Sequence, residues 1–170
     1  MKPSSQEIAP GTWREEPFIA HLPLKEDKKI ELERPKILVE KVYPQFIEQF
    51  GPQTWVYYPC SGADASPSLF FRNVIYTDTN PAVITALHNA GFKAYPVNAC
   101  VFDIQGVTDL IILFDPQLNN PEVKGLVQRV NPSLVLCNNY HHTADHMQRI
   151  REYECKARIE KNYFVFKKKR

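Results

Sequence analysis

Two runs, Asp109-Leu110-Ile111-Ile112-Leu113-Phe114 and Ser133-Leu134-Val135-Leu136-Cys137, are apolar at every position after their first. A strand with one face in water alternates apolar and polar residues. A run without alternation suits a strand covered on both faces, the condition of a parallel sheet between layers of helices. Between the two runs Pro121 opens a helical stretch that carries Val123, Leu126, Val127 and Val130, and Asn131-Pro132 stops it. Strand, helix and strand in succession make a β-α-β unit, which places the two strands parallel.

The rest of the chain repeats this alternation. Trp55-Val56-Tyr57-Tyr58 and Val74-Ile75-Tyr76-Thr77 read as strands, and Ala94-Tyr95-Pro96-Val97 as a weaker one because Pro96 cannot donate to a ladder. Pro81 opens a helix with Val83, Ile84 and Leu87 that Gly91 closes, and a third helix runs from Thr143 through Met147 and Ile150. Ahead of the first strand, Val39, Tyr43, Phe46, Ile47 and Phe50 share one helical face after Pro35. Pro44 interrupts that period, which predicts a kink or two short helices before Gly51-Pro52. At the C-terminal end Cys155, Ala157 and Ile159 alternate with charged residues, Lys161-Asn162 suits a tight turn, and Tyr163-Phe164-Val165-Phe166 follows, an antiparallel hairpin over 155–166. The expected fold is α/β, a mostly parallel doubly wound sheet with a C-terminal antiparallel hairpin over residues 35–170. Residues 1–34, broken by Pro3, Pro10, Pro17 and Pro23, form an N-terminal arm, with Phe18-Ile19-Ala20 and Leu22 as its candidate anchor.

Composition sets the outer limits. A chain of 170 residues suits one domain, and 44% hydrophobic against 24% charged residues is globular rather than disordered. A formal charge of +2 gives little support to a nucleic-acid partner, although Lys167-Lys168-Lys169-Arg170 is a local basic cluster that reads first as a solvated tail. Cys60, Cys100, Cys137 and Cys155 form no CxxC pair, so zinc-ribbon and dense-disulfide frameworks are not suggested and buried, reduced thiols are expected. No uninterrupted apolar run reaches transmembrane length and no apolar leader follows the start; the expected compartment is the cytoplasm, without a membrane partner.

Open α/β sheets bind ligands beyond the carboxyl ends of their strands, at the switch in strand order. Here those ends are Pro59 to Asp64, Asp78-Thr79-Asn80, Asn98-Ala99, Asp115-Pro116-Gln117 and Asn138 to His142, all rich in polar residues. In element order and at these ends the chain over about 35–170 resembles the class I S-adenosylmethionine-dependent methyltransferases, whose fold is a Rossmann-like sheet finished by such a hairpin. The resemblance implies a small-molecule cofactor, S-adenosylmethionine, held by Ser61, Gly62, Asp64, Asp78, Asn80 and Asn98. Asp78 matches the acid that accepts both ribose hydroxyls, Asn98 the polar residue near adenine, and Asp115 or His141 would take a proton or hold the methyl acceptor. Of the family's glycine-rich turn only Gly62 is kept: Cys60 and Asp64 stand at glycine positions and Tyr58 at the acidic one. Asp115-Pro116-Gln117-Leu118 is similar to the amino-methylating motif but lacks its second proline and aromatic. The alternative is a catalytically silent methyltransferase-like domain that binds or regulates. In that case the first turn merely connects strand to helix and Asp78 caps the helix at Pro81. An Asp78→Asn exchange is expected from sequence to spare the fold.

Other chemistries find less support. His141, His142, Asp145 and His146 resemble the signature of metallo-β-lactamase-type hydrolases. Thr143 stands where its second histidine belongs and little chain remains for remote ligands, so no metal site is expected. Cys60 as a phosphatase nucleophile would need an arginine where Ser66 stands, and neither GxGxxG nor GxxxxGK[ST] occurs.

Overall fold

The computed structural model describes residues 30–102 and 108–170. Seven strands, β1 (Trp55–Pro59), β2 (Asn73–Thr77), β3 (Lys93–Tyr95), β4 (Leu110–Leu113), β5 (Leu134–Asn138), β6 (Tyr153–Ile159) and β7 (Tyr163–Lys168), form one sheet in the order β3-β2-β1-β4-β5-β7-β6. The first five are parallel; β7 runs antiparallel to β5 and β6 antiparallel to β7. The sequence expectation of a mostly parallel sheet with a terminal hairpin therefore holds. Strand β3 stops at Tyr95, before Pro96.

Alternation along each central strand divides its side chains between two cores. Val56, Tyr58, Leu110, Ile112, Leu134 and Leu136 face one, with Phe46 of helix α1 (Tyr43–Phe50) and Ile84 and Leu87 of α2 (Pro81–Asn89). Tyr57, Ile111, Leu113, Val135 and Cys137 face the other, with Val123, Leu126 and Val127 of α3 (Asn120–Val130) and Met147 of α4 (Thr143–Gln148). All four side chains of β4 are fully buried, each contributing about 1.5–3 kcal/mol of transfer free energy. Asp109, just before β4, accepts the N–H groups of Thr54 and Trp55 and ties the start of β1 to its neighbour.

Local chemistry sets the helix ends. Asn119 and Glu122 form a reciprocal capping box at α3, Asn131 ends that helix in the left-handed region at φ 55°, and Asn80 caps α2 through the Ala82 N–H. The interruption expected at Pro44 takes the form of a π-turn over Leu38–Val42 that runs directly into α1, with the Tyr43 N–H bonded to the Leu38 carbonyl. The wider turn absorbs the proline's missing donor without breaking the helix.

Of the arm expected over 1–34, only its end lies within the described residues, and the candidate anchor at 18–22 lies outside them. Glu33 bridges to the loop after β1: its N–H donates to the Ala63 carbonyl, its own carbonyl accepts from Ala65, and Ile30 and Leu32 pack on the first core. The thiols depart from expectation. All four are free, but Cys137 alone is buried and Cys155 is exposed because β6 is an edge strand with one side open to solvent. Among the described residues no helix is long and apolar enough to cross a membrane.

Candidate active site at the strand ends

Strand order turns at β1, which lies between β2 and β4, so the loops leaving β1 and β4 diverge and open a crevice. A cleft of about 500 Å³ fills it, lined by Cys60, Ser61 and Gly62, by Asp78 and Thr79, by Val97 to Ala99, and by Phe114 to Leu118. Five candidates from sequence, Ser61, Gly62, Asp78, Asn98 and Asp115, thus come together from four strand ends.

The turn after β1 shows how a depleted glycine motif keeps its shape. Cys60 lies at φ 54° and Gly62 at φ 56°, both left-handed, so the backbone that glycine ordinarily permits at position 60 is here imposed on a cysteine. A Cβ at Gly62 would meet no heavy atom within 4 Å, so the turn presents an open cradle. Burial first, and the Asp78 carboxylate next, push the Cys60 thiol up to about 12, the opposite of what a nucleophile needs.

Asp78 is half-buried, and its two carboxylate oxygens are used separately. One accepts the Gly62 N–H at 2.8 Å and the other the Asn80 N–H at 2.9 Å. Each oxygen keeps a second lone-pair direction, so the group can still take a pair of ligand hydroxyls. Exposed Asn98 accepts the Cys100 N–H at 2.8 Å through its side-chain oxygen and begins the next turn.

Three sequence candidates do not line the cleft: Asn80, Asp64, and His141, which reaches the site through its contact with Asp115. Asn80 is absent from the cleft wall and works as the α2 cap described above. Asp64 turns into the core, where it accepts the Tyr58 hydroxyl at 2.9 Å and the Ser66 N–H at 2.9 Å. Burial foremost holds its carboxyl above the usual range, and the same buried pair pushes Tyr58 well up. Position 64, a glycine position in the resemblance, thus pairs with the tyrosine at position 58, and neither side chain lines the cleft; this pairing was not read from sequence.

At the other wall, Asp115 (φ 55°) and Gln117 (φ 53°) alternate in left-handed conformations, and so do His141 (φ 53°) and His142 (φ 62°) after β5. The turn geometry brings His141 Nε2 to 2.7 Å from Asp115 Oδ1, with both side chains about half exposed. Seven of the eight described non-glycine residues with positive φ sit at this end of the sheet, the exception being the Asn131 cap. Backbone strain is therefore concentrated where the loops converge, the usual place for it at ligand sites.

The histidines do not act as one cluster. His141 faces Asp115, whereas His142 Nδ1 lies 3.3 Å from Asp145, which also accepts from Asn139. Among the described residues no three His, Cys, Asp or Glu side chains converge as a metal-holding group.

Comparison with known proteins bears on the fold. No protein-family model and no curated protein sequence matches the chain. Solved structures do match. A methyltransferase from Geobacter sulfurreducens superposes with a TM-score of 0.54 at 14% identity over 75% of this chain and 76% of that one. The N-methyltransferase NodS from Bradyrhizobium japonicum gives 0.57 at 9% identity over 76% and 95%. Magnesium protoporphyrin IX methyltransferase from Synechocystis, solved with bound S-adenosylmethionine, gives 0.56 at 10% identity over 75% and 76%. The strand order, the terminal hairpin and these superpositions together give the chain the Rossmann-like fold of the class I methyltransferases.

Proposed function

We propose that the protein is an S-adenosylmethionine-dependent methyltransferase whose cofactor occupies the cleft between the β1 and β4 loops. The observation that carries this reading is the Asp78 carboxylate, half-buried at the end of β2 and fixed to the Gly62 N–H inside a cleft at the switch in strand order. The donor set suits an adenosyl amino acid. Asp78 has acceptor capacity left for two ribose hydroxyls, Asn98 offers an amide beside the next strand end, and the open space over Gly62 lets a ligand approach the backbone closely. Apolar Val97 and Leu118 contribute the wall against which a purine fits.

When bound, the cofactor supplies an activated methyl group whose sulfur–carbon bond breaks as the acceptor's bond to carbon forms, leaving S-adenosylhomocysteine. The chain's contribution is then positioning. A carboxylate accepts only, so Asp115 fixes the His141 tautomer with Nε2–H directed at it, and Nδ1 remains to take a proton from the acceptor.

Calorimetric titration with S-adenosylmethionine and S-adenosylhomocysteine tests the reading. Saturable binding of both is expected. No binding of either at millimolar concentration would leave a silent methyltransferase-like domain as the better account.

A further inference from the structure

A second cleft, of about 370 Å³, opens where the end of β5 meets the β6–β7 turn, with Asn138, Tyr140, Arg158, Lys161, Asn162 and Phe164 on its walls. It adjoins the first site directly. Asn138 Oδ1 accepts the N–H groups of both Asp115 and Tyr140 at 3.3 Å, so one side chain braces the β4 loop and the residue preceding His141.

That bracing leaves something over. Asn138 is only 6% exposed, its oxygen is occupied twice, and its amide nitrogen has no partner among the described residues although it belongs to a cleft wall. Facing the cleft, where water reaches it, this donor is open to a ligand's acceptor atom. Asn139 beside it is not available in the same way, since its amide is bonded on both sides to Asp145.

The rest of the wall supplies two other kinds of recognition. The Tyr140 ring is 68% exposed at the rim, an unusual position for a large aromatic. Across from it the Arg158 guanidinium lies 5.3 Å from the centre of the Phe164 ring, and its Nε donates to the Lys161 carbonyl, which holds it in place. Neither Arg158 nor Lys161 has a carboxylate partner among the described residues. The nearby acids are engaged elsewhere: Glu160 by Gln45, Asp115 by His141 and Asp145 by His142. The basic cluster 167–170 does not contribute, because Lys168 lies beside Ser133 at the opposite end of the sheet.

An exposed ring for stacking, an amide donor for a base edge and unpaired cations for a phosphate are the groups by which proteins hold nucleotides. We propose that this second cleft is the acceptor site and that the acceptor is a nucleotide, with its base on Tyr140, a base acceptor atom on the Asn138 amide and its phosphate on Arg158 and Lys161. The word acceptor rests on the methyl-transfer reading; the binding does not. In the reaction a base nitrogen gains the methyl carbon and loses its proton to His141 Nδ1.

The same chemistry is offered by a free mononucleotide or by single-stranded nucleic acid. The test is therefore titration with the four nucleoside 5′-monophosphates, the matching nucleosides and a short single-stranded oligoribonucleotide, each with and without S-adenosylhomocysteine. At least one nucleotide is expected to bind about tenfold or more tightly than its nucleoside, the scale of a charge-assisted contact. Arg158→Gln should reduce that difference and Tyr140→Ala should weaken nucleotide and nucleoside alike, with circular dichroism showing both variants folded. Binding of the oligonucleotide alone assigns the source to a polymer. Equal binding of nucleotide and nucleoside, indifference to both substitutions, or no binding of any probe to protein that does bind S-adenosylhomocysteine overturns the inference. Nucleotide binding by protein that does not take S-adenosylhomocysteine would instead overturn the methyltransferase reading and leave this cleft a nucleotide site.

Discussion

Exchanging Asp78 for asparagine separates what this residue does for the fold from what it does for a ligand. In the native turn each oxygen takes one backbone N–H, from Gly62 at 2.8 Å and Asn80 at 2.9 Å. An asparagine has one acceptor oxygen, and its other end is an NH2 group that would face an N–H donor. One of the two backbone donors must lose its bond. The site is partly open to water, which replaces some of the loss, so a cost of about 1–2 kcal/mol is expected. For a chain of this length each kcal/mol lowers Tm by about 2–4 °C, giving a fall of roughly 2–8 °C. The two contacts predict a larger loss of stability than the little loss expected from sequence. Ligand affinity should fall further, because hydrogen bonds to a charged acceptor are worth about 1.5–3 kcal/mol, roughly tenfold to a hundredfold in Kd. Thermal melting by circular dichroism reads the first quantity and titration with S-adenosylhomocysteine the second. A variant that melts with the native protein would refute the two-oxygen bracing. Native affinity in a variant that melts early would refute the ribose role and leave Asp78 a loop brace.

Tyr58→Phe removes the hydroxyl that donates to the buried Asp64 carboxylate at 2.9 Å and should cost about 1–3 kcal/mol at neutral pH in denaturant unfolding. Because the folded-state pKa of Asp64 is raised above its ordinary 3.8, the native state binds the extra proton; stability from this group is full below the unfolded pKa and falls as pH rises through the folded one. Losing the Tyr58 donor raises that pKa further, so the variant's deficit should shrink in acid; a deficit independent of pH would count against the pairing. Gly62→Ala, with open space around the new Cβ but φ at 56°, should cost only the left-handed strain of about 1 kcal/mol, whereas Gly62→Val should abolish S-adenosylhomocysteine binding. Equal binding by both variants would place the ligand away from this turn. Brief iodoacetamide treatment near neutral pH should label exposed Cys155 well before half-buried Cys60, whose thiol is pushed up to about 12, and prompt labelling of Cys60 in peptide mapping would contradict its partial burial beside Asp78.

Much of the architecture was legible because its causes are local. The unbroken apolar runs of β4 and β5 require cover on both faces wherever they occur, and the divided cores provide it. Pro81, Pro121 and Asn131 mark helix ends through backbone constraints carried by the residues themselves. The positions flanking the crevice followed from the same reasoning, since a parallel strand delivers its next residues to one end of the sheet.

What the tertiary structure alone decided is the direction of side chains. Cys60, Asp115, Gln117 and His141 adopt left-handed backbone that their own propensities disfavour, so only the surrounding packing can impose it. That backbone turns His141 onto Asp115, and the turn after β1 sends Asp64 inward to Tyr58 while Asp78 stays in the cleft. The double use of Asn138 and its spare amide nitrogen arise in the same way, from a strand end that meets two loops at once. The sequence by itself determined which residues reach the carboxyl end of the sheet, because periodicity and punctuation are properties of neighbours along the chain. Which of them face one another was decided by contacts between residues far apart in sequence.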